Sequence, residues 1–200
     1  MEETISYSFC EHELTGIMLM MRVKSGKLVY ASLGDEEDYL LKSAEQDFQR
    51  LSKKTHTKYH LRKVDSTAHN EEFEKIRKQY ISVLEFEDVG KEESESSSGQ
   101  KAVDYEFMFG TPFQRKVWTE LTKVPFGGTV TYGQIAAKIA LPKAIRGVGT
   151  AVGQNKLAIV IPCHRCLPSD GKIGKFRWGS NMKQKLLLHE KMLKKTQNVE

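Results

Sequence analysis

Residues 131–155, TYGQIAAKIALPKAIRGVGTAVGQN, contain two short helical patterns on either side of a Leu-Pro-Lys turn. The first pattern opens with a capping box, in which Thr131 is followed three positions later by Gln134. The second pattern begins near Arg146 and is rich in glycine and alanine, which lets a neighbouring helix or a nucleic acid backbone approach closely. Two helices joined in this way predict a helix-turn-helix, although a plain three-helix bundle has the same outline.

A third helix is expected immediately upstream, over residues 111–124, TPFQRKVWTELTKV. Thr111 is placed to cap this helix and Pro112 to occupy its first position. Apolar residues recur along it at helical spacing. The predicted inward face consists of Phe113, Val117, Leu121 and Val124.

Residues 157–166, LAIVIPCHRC, lead an apolar run directly into a thiol and two basic side chains. The run predicts a buried strand that ends at Pro162, because proline cannot donate a ladder hydrogen bond. Three interpretations of Cys163 are open: a small buried hydrophobe, a zinc ligand together with His164 and Cys166, or a nucleophile. The nucleophile is favoured, because an adjacent imidazole and arginine should lower the thiol pKa, whereas adjacent zinc ligands fit tetrahedral geometry poorly.

A nucleophilic thiol also needs a base and a group that orients the base. His164 is the candidate base, but successive side chains of an extended chain point to opposite faces, so a water or a turn should link it to the sulfur. The closing helix, residues 181–195, carries Glu190 as its only carboxylate. Glu190 is therefore the candidate orienting group, although a solvated Glu190 paired with a lysine fits the spacing equally well. The predicted inward face of this helix is Met182, Leu186 and Leu193.

The first half of the chain predicts a small α/β unit. Residues 16–34, GIMLMMRVKSGKLVYASLG, indicate two strands around a turn at Gly26. Residues 35–54 follow with helical spacing, and Asp35 is the candidate cap.

The same half continues with a second helical pattern over residues 69–80, and residues 81–88, ISVLEFED, indicate a further strand. Its histidines are scattered among polar residues, and Cys10 with His12 supplies too few ligands for a metal site. No catalytic constellation is predicted in this half.

Charge is distributed unevenly along the chain. Residues 1–100 hold 14 Lys and Arg against 20 Asp and Glu, a net charge of −6, whereas residues 101–200 hold 17 against 6, a net charge of +11. A half with this excess of positive charge favours a polyanionic partner, and plain solubility explains the segregation less well. Residues 87–101 are highly polar and predict a flexible linker, so domains of residues 1–100 and 101–200 are expected.

The chain has no apolar stretch long enough to span a bilayer, and its N-terminus lacks the pattern of a secretory signal. A soluble intracellular protein is expected on this basis, with no membrane partner. Its three cysteines, an odd number, are expected to be reduced thiols.

Several ordered motifs resemble the 6-O-alkylguanine-DNA alkyltransferases, also called methylated-DNA–protein-cysteine methyltransferases. They are FGTPFQRKVW, TYGQIA, RGVG with Asn155, IVIPCHR and LLLHE, which together span roughly residues 104–191. The first half is similar only in its hairpin, and the chain as a whole resembles fungal members. The resemblance implies an α+β fold: a small ribonuclease-H-like N-terminal α/β domain and a winged-helix-like C-terminal domain that carries the helix-turn-helix.

The resemblance also implies a DNA repair reaction. After minor-groove binding and nucleotide flipping, the alkyl group of 6-O-alkylguanine would move irreversibly to Cys163. His164 would accept the thiol proton through water, and Glu190 would hold the histidine. The residues implied to bind DNA, the extruded base or the supporting turn are Tyr132, Arg146, Asn155, Arg165, Cys166, Arg177 and Trp178.

Within that set, Tyr132 would hydrogen-bond the base and help to rotate its phosphate, and Arg146 would fill the gap left in the stack. Asn155 would brace the turn that supports the cysteine. The partner would be double-stranded DNA, bound by a monomer in the nucleus, and no metal or cofactor is expected. Trp178 and Ala158 stand where some members have glycine and proline, which implies a tight pocket that accepts methyl groups readily and benzyl-type groups poorly.

Three alternatives differ in what they make of the cysteine. A non-catalytic alkylated-DNA-binding module of the alkyltransferase-like type would have replaced Cys163. A cysteine hydrolase usually has its histidine far from its cysteine in sequence, unlike His164. A transcription regulator with a helix-turn-helix would leave the PCHR segment without a role.

Overall fold

The protein is described by a computed structural model over residues 1–64, 71–85 and 103–197. The linker predicted at residues 87–101 lies entirely outside the described residues. Within the described ranges, none of the helices is long and apolar enough to cross a membrane.

The chain divides into two compact units. The first comprises Met1–Lys78 and Val103–Phe109, and the second comprises Gln79–Ala102 and Gly110–Glu200. The division differs from the domain boundary predicted after residue 100: of the described residues, 79–85 group with the second unit and Val103–Phe109 with the first.

The first unit is built on a four-stranded sheet with the order β3-β2-β1-β4. Its strands are β1 (Glu2–His12), β2 (Gly16–Arg22), β3 (Leu28–Gly34) and β4 (Lys58–Lys63). Strands β1 and β4 are parallel, and the other neighbours are antiparallel. The predicted hairpin is confirmed: Gly26 adopts a φ of 87° in its turn, a backbone conformation that favours glycine.

Helix α1 (Glu37–Thr55) covers this sheet with buried apolar side chains at helical spacing. The predicted cap is wrong. The N-cap position is Glu36, and its side chain makes no capping hydrogen bond, so Asp35 lies one residue too early.

Helix α2 spans Glu71–Glu85, so the strand predicted over residues 81–88 is wrong for the part that the structure describes. The reason is the spacing of its buried side chains. Phe73, Ile76, Tyr80 and Leu84 recur every three or four residues, and this helical period continues through the residues that the sequence suggested as a strand.

The second unit contains four helices in its described part beyond residue 110. They are α3 (Pro112–Leu121), α4 (Tyr132–Lys138), α5 (Ile145–Gly153) and α6 (Ser180–Gln197). Both predicted N-termini are confirmed, because Thr111 and Thr131 each form a complete capping box. Helices α4 and α5 form the predicted helix-turn-helix, with Ala140 at a φ of 61° in the turn.

Packing between α3 and α5 explains part of the glycine content of α5. A Cβ on Gly147 would lie 3.4 Å from the ring of Phe113, so the small residue lets α3 come close. Phe113 is only partly buried, and the buried aromatic of α3 is Trp118, whose Nε1 donates a 2.7 Å hydrogen bond to the carbonyl of Ala151. Helix–helix packing therefore accounts for Gly147 without a nucleic acid.

The buried strand predicted over residues 157–162 is wrong, because these residues form a tight turn. The N–H of Ile161 donates to the carbonyl of Leu157, and Ile159 adopts a φ of 65°. Such a φ is rare for a β-branched residue and requires support from its surroundings. The only short strand pair beyond residue 110 in the described ranges is β5 (Val130–Thr131) with β6 (Cys166–Leu167).

Candidate active site

Cys163 opens a single turn of 3₁₀ helix, Cys163–Arg165, that directly follows Pro162. The N–H of Cys166 donates to the carbonyl of Cys163 and closes this turn. The side chain of Cys163 is buried. The thiol is thus positioned by two consecutive turns, and not by the end of a strand.

Asn155 holds these turns together from inside. Its Nδ2 atom lies 3.1 Å from the carbonyl oxygens of Leu157 and Ile161 and 3.2 Å from Sγ of Cys163. Its Oδ1 atom accepts a 2.9 Å hydrogen bond from the N–H of Leu157. A buried amide that satisfies local backbone groups in this way supplies the support that the strained Ile159 needs.

The thiol of Cys163 is not activated in the resting site. Burial raises its pKa to about 11, against the opposing effects of the Asn155 hydrogen bond and the positive charges of Lys183 and Arg177. The expected lowering of this pKa is therefore wrong, because removal from water outweighs the nearby cations. The thiol is protonated at neutral pH, and reaction requires a base.

His164 and Glu190 form a buried pair, with Nε2 of the imidazole 2.7 Å from Oε1 of the carboxylate. Burial alone would raise the pKa of Glu190, but hydrogen bonds and charges from His164 and Arg165 lower it to about 2. Burial lowers the pKa of His164, against the opposing effect of Glu190. A neutral imidazole beside an ionised carboxylate carries its proton on Nε2 and leaves Nδ1 as an acceptor.

Nδ1 of His164 is buried and has no hydrogen-bond partner in the described part of the chain. It therefore does not bond the sulfur of Cys163 directly, although the two residues are adjacent. The alternative of a solvated Glu190 is excluded, because its side chain is only 6% exposed.

Arg165 lies behind this pair and is also buried. Its Nε and Nη2 atoms donate to the Glu190 carboxylate at 2.9 to 3.1 Å, and its Nη1 atom donates to the carbonyl of Val124 at 2.7 Å. Glu190 also accepts a 3.0 Å hydrogen bond from the N–H of Gly127. This placement contradicts the predicted contact of Arg165 with DNA, because all three nitrogens are engaged inside the protein.

Lys183 is a site residue that sequence reasoning missed. It is fully buried, and its Nζ donates a 2.7 Å hydrogen bond to the carbonyl of Cys166. Burial lowers its pKa, while burial raises the pKa of Cys166 to about 12. Its position could have been found from spacing, since Lys183, Leu186 and Glu190 recur on one face of α6.

The remaining candidates next to the thiols come from two other segments. Tyr132, the first residue of α4, is partly buried, and its pKa is raised by burial and by the charges that Cys166 and Cys163 would carry as thiolates. Arg177 is close enough for its charge to lower the pKa of Cys163. Trp178 belongs to an aromatic group, with ring centroids 5.1 Å from Phe176 to Trp178 and 6.5 Å from Phe176 to His164.

Arg146 occupies a different position, exposed on the first turn of α5. Two apolar side chains of the helix-turn-helix are exposed as well: Leu141 at 43% and Ile145 at 48%. The motif therefore presents a cation and apolar groups to solvent. Across the described residues, no group of three or more His, Cys, Asp and Glu side chains could hold a metal ion, so zinc binding by Cys163, His164 and Cys166 has no geometric support.

Comparison with known proteins places this site in a family. Residues 112–192 match the family described as 6-O-methylguanine DNA methyltransferase, DNA binding domain. A methylated-DNA–protein-cysteine methyltransferase of Saccharomyces cerevisiae is 40% identical over 191 residues, which cover 96% of this chain and 95% of the relative. The fold and the matched region thus define a methyltransferase with a DNA-binding domain of this type.

Two solved structures agree with the assignment and confirm the predicted α+β, two-domain fold. The 6-O-methylguanine-DNA methyltransferase of Pyrococcus kodakaraensis is 26% identical, with a TM-score of 0.67 over 93% of this chain and 98% of the other. The OGT of Mycobacterium tuberculosis in complex with DNA is 25% identical, with a TM-score of 0.62 over 95% of this chain and 94% of the other. The chain belongs to the methylated-DNA–protein-cysteine methyltransferase family, as its motifs predict.

Proposed function

We propose that this protein repairs DNA by moving the alkyl group of 6-O-alkylguanine to its own Cys163. The observation that carries the proposal is the state of the site at rest: a protonated thiol stands beside an imidazole whose free nitrogen is buried without a partner. A carboxylate holds the other imidazole nitrogen at 2.7 Å. This arrangement suits the removal of one proton from the thiol at the moment of attack.

The proton leaves Sγ of Cys163 and reaches Nδ1 of His164 through a water, since the two atoms share no direct hydrogen bond. The imidazolium that forms is stabilised by Glu190, whose pKa of about 2 keeps the carboxylate ionised. Arg165 and the N–H of Gly127 hold that carboxylate in place. The thiolate therefore exists only after the base has acted.

In the transfer step, Sγ of Cys163 forms a bond to the alkyl carbon as the bond between that carbon and O6 of guanine breaks. The guanine gains one proton overall, so that an unmodified base is the product. Tyr132 and Arg177, which interact electrostatically with the thiols, are the residues we assign to binding of the extruded base. The product at the protein is a thioether, which thiol exchange cannot reverse, so each molecule acts once.

DNA binding is assigned to the helix-turn-helix in the minor groove. Exposed Arg146 fills the space of the flipped nucleotide, and Leu141 and Ile145 are apolar groups of the kind that enter a base step from the minor groove. A base alkylated at O6 pairs badly, so its extrusion costs less free energy than that of a normal guanine. We assign the protein to the nucleus, where its DNA substrate lies. We also propose that it acts as a monomer.

The decisive experiment uses duplex DNA with one labelled 6-O-methylguanine. We expect one label per molecule on the tryptic peptide that contains Cys163, no transfer by Cys163→Ala, and normal transfer by Cys10→Ala, which changes a cysteine of the first unit. Label on another residue, or repeated turnover, would overturn the proposal. The non-catalytic damage-binding alternative predicts binding without any transfer, and the presence of the complete Cys163, His164 and Glu190 arrangement disfavours it.

A further inference from the structure

Cys163 and Cys166 form a C-x-x-C pair whose second thiol has no role in the reaction proposed above. The hydrogen bond from the N–H of Cys166 to the carbonyl of Cys163 closes one turn around them. Residues at these two positions of a turn have Cα atoms less than about 7 Å apart. A disulfide requires Cα atoms roughly 4.4 to 6.8 Å apart, so the backbone is suited to one.

The two sulfurs also share their surroundings. Both side chains are buried and both cysteines are free. A negative charge on Cys163 would raise the pKa of Cys166, and Lys183 and Tyr132 interact with both thiols. The two thiols therefore interact electrostatically and also lie in one backbone turn. The buried Lys183 can stabilise either thiolate.

We propose that Cys166 is a resolving cysteine that converts an oxidised Cys163 into a reversible Cys163–Cys166 disulfide. The oxidant is a peroxide, which is small enough to enter a site built for an alkylated base. The consequence for repair rests on the function proposed above, but the disulfide itself does not. Each molecule can accept one alkyl group on Cys163. Oxidation of Cys163 beyond the sulfenic acid would abolish that transfer permanently.

The chemistry balances in two steps. His164 takes the proton of the Cys163 thiol, the sulfur attacks one oxygen of hydrogen peroxide, the O–O bond breaks, and the proton joins the departing hydroxide, so that a sulfenic acid and one water form. The Cys166 sulfur then attacks the Cys163 sulfur, the S–O bond breaks, and water leaves. Two thiols and one peroxide give one disulfide and two waters, and the peroxide is the species reduced. A thiol reductant returns both cysteines to their starting state by exchange.

The test treats the reduced full chain with hydrogen peroxide, then blocks remaining thiols with iodoacetamide under denaturing conditions. Trypsin cuts after Arg165, between the two cysteines, so a disulfide would join peptides 157–165 and 166–172. Wild type, Cys166→Ser and the control Cys10→Ser are compared by peptide mass and by alkyl transfer before and after dithiothreitol. Each protein is measured against its own reduced sample.

For wild type and Cys10→Ser we expect the linked peptide pair, loss of transfer, and full recovery with dithiothreitol. For Cys166→Ser we expect sulfinic and sulfonic acids on Cys163 and a loss of transfer that dithiothreitol does not restore. Overoxidised Cys163 without linked peptides in wild type, or equal recovery in Cys166→Ser, would overturn the proposal. If Cys166→Ser does not fold, the wild-type peptide masses and Cys166→Ala decide the question.

The peptide masses do not depend on repair. A reduced protein that accepts no alkyl group but forms the linked peptides would refute the proposed function and support the disulfide. A protein that transfers alkyl groups but never forms the linked peptides would support the proposed function and refute the disulfide.

Discussion

Nε2 of His164 donates to Oε1 of Glu190 at 2.7 Å, and this single hydrogen bond leaves the buried Nδ1 as the acceptor nitrogen of the imidazole. The carboxylate is in turn held by Arg165 and by the N–H of Gly127. A buried chain of hydrogen bonds that reaches from α6 to the 3₁₀ turn therefore fixes the orientation of the imidazole.

Glu190→Gln should slow alkyl transfer by about 10²- to 10⁴-fold, because the amide can no longer stabilise the imidazolium. The variant also leaves Arg165 as an unpaired buried charge, so its free energy of unfolding should fall. Single-turnover transfer of label from duplex DNA measures the rate, and urea titration measures the stability. Glu120→Gln removes a carboxylate paired with exposed Lys123, and it should change neither the transfer rate nor the free energy of unfolding by more than twofold. Equal rates for the two variants would contradict the role of Glu190.

The stability of the protein should depend on pH through the same carboxylate. The pKa of Glu190 is lowered to about 2 in the folded state, against an ordinary value of about 4.3. Its contribution to the free energy of unfolding is therefore present above roughly pH 4.3 and is lost as the pH falls towards 2. Urea midpoints measured across this range should fall more steeply for wild type than for Glu190→Gln. Parallel pH profiles would show that the carboxylate does not titrate as stated.

Asn155→Ala should destabilise the fold by about 1 to 3 kcal/mol, because it leaves buried carbonyls of Leu157 and Ile161 without their donor. Urea unfolding provides the measurement. Alkyl transfer should also fall, since the turn that carries Cys163 loses its brace. Asn181→Ala, an exposed position at the start of α6, is the matched control and should unfold like wild type. A stable Asn155→Ala would mean that the turn holds its shape without the amide.

Arg146→Ala should slow repair of duplex DNA by about 10- to 100-fold, a change of roughly 1.4 to 2.7 kcal/mol in the activation free energy. Transfer from the free base 6-O-methylguanine should be unaffected, because no nucleotide is flipped. Lys143→Ala removes a positive charge from the exposed turn that precedes α5. It should weaken binding to all duplexes without a selective loss of duplex repair. If both variants lose duplex repair equally, Arg146 acts as a general phosphate contact.

Methyl groups should be transferred much faster than benzyl groups. The ring centroid of Trp178 lies 5.1 Å from that of Phe176, which lies 6.5 Å from that of His164, and we expect this aromatic group to narrow the approach to the site. Competition between 6-O-methylguanine and 6-O-benzylguanine gives the ratio. Trp178→Gly should raise the benzyl rate relative to the methyl rate. Similar rates for both adducts in wild type would refute the narrow pocket.

Local patterns predicted much of this fold. The capping boxes at Thr111 and Thr131 depend only on residues three positions apart, and the hairpin around Gly26 depends on one turn. The sequence-based prediction was wrong for the last five residues of α2, which ends at Glu85. The β-branched and aromatic side chains there suggested a strand, whereas the spacing of the buried side chains remained helical.

The site was predicted less completely, since its energetics depend on burial. Apolar residues 157–162 fit a strand in sequence, and the turn appears only in the backbone geometry and in the hydrogen bonds of Asn155 that hold it. The thiol pKa was assigned from sequence neighbours, whereas removal from water decides it. Arg165 lies between the two cysteines in the sequence and was therefore assigned to DNA or base contact, yet its side chain hydrogen-bonds Glu190 inside the protein.

The last turns of α2 set a limit on how this protein can be divided. The hydroxyl of Tyr80 donates a 2.8 Å hydrogen bond to the carbonyl of Ala158, and the imidazole of His189 lies 3.0 Å from the carbonyl of Leu84. The matched DNA-binding region begins only at residue 112. A fragment cut to that region would lose one anchor of the turn that leads to Cys163 and one anchor of α6, so we expect a fragment that repairs DNA on its own to begin at or before Gln79.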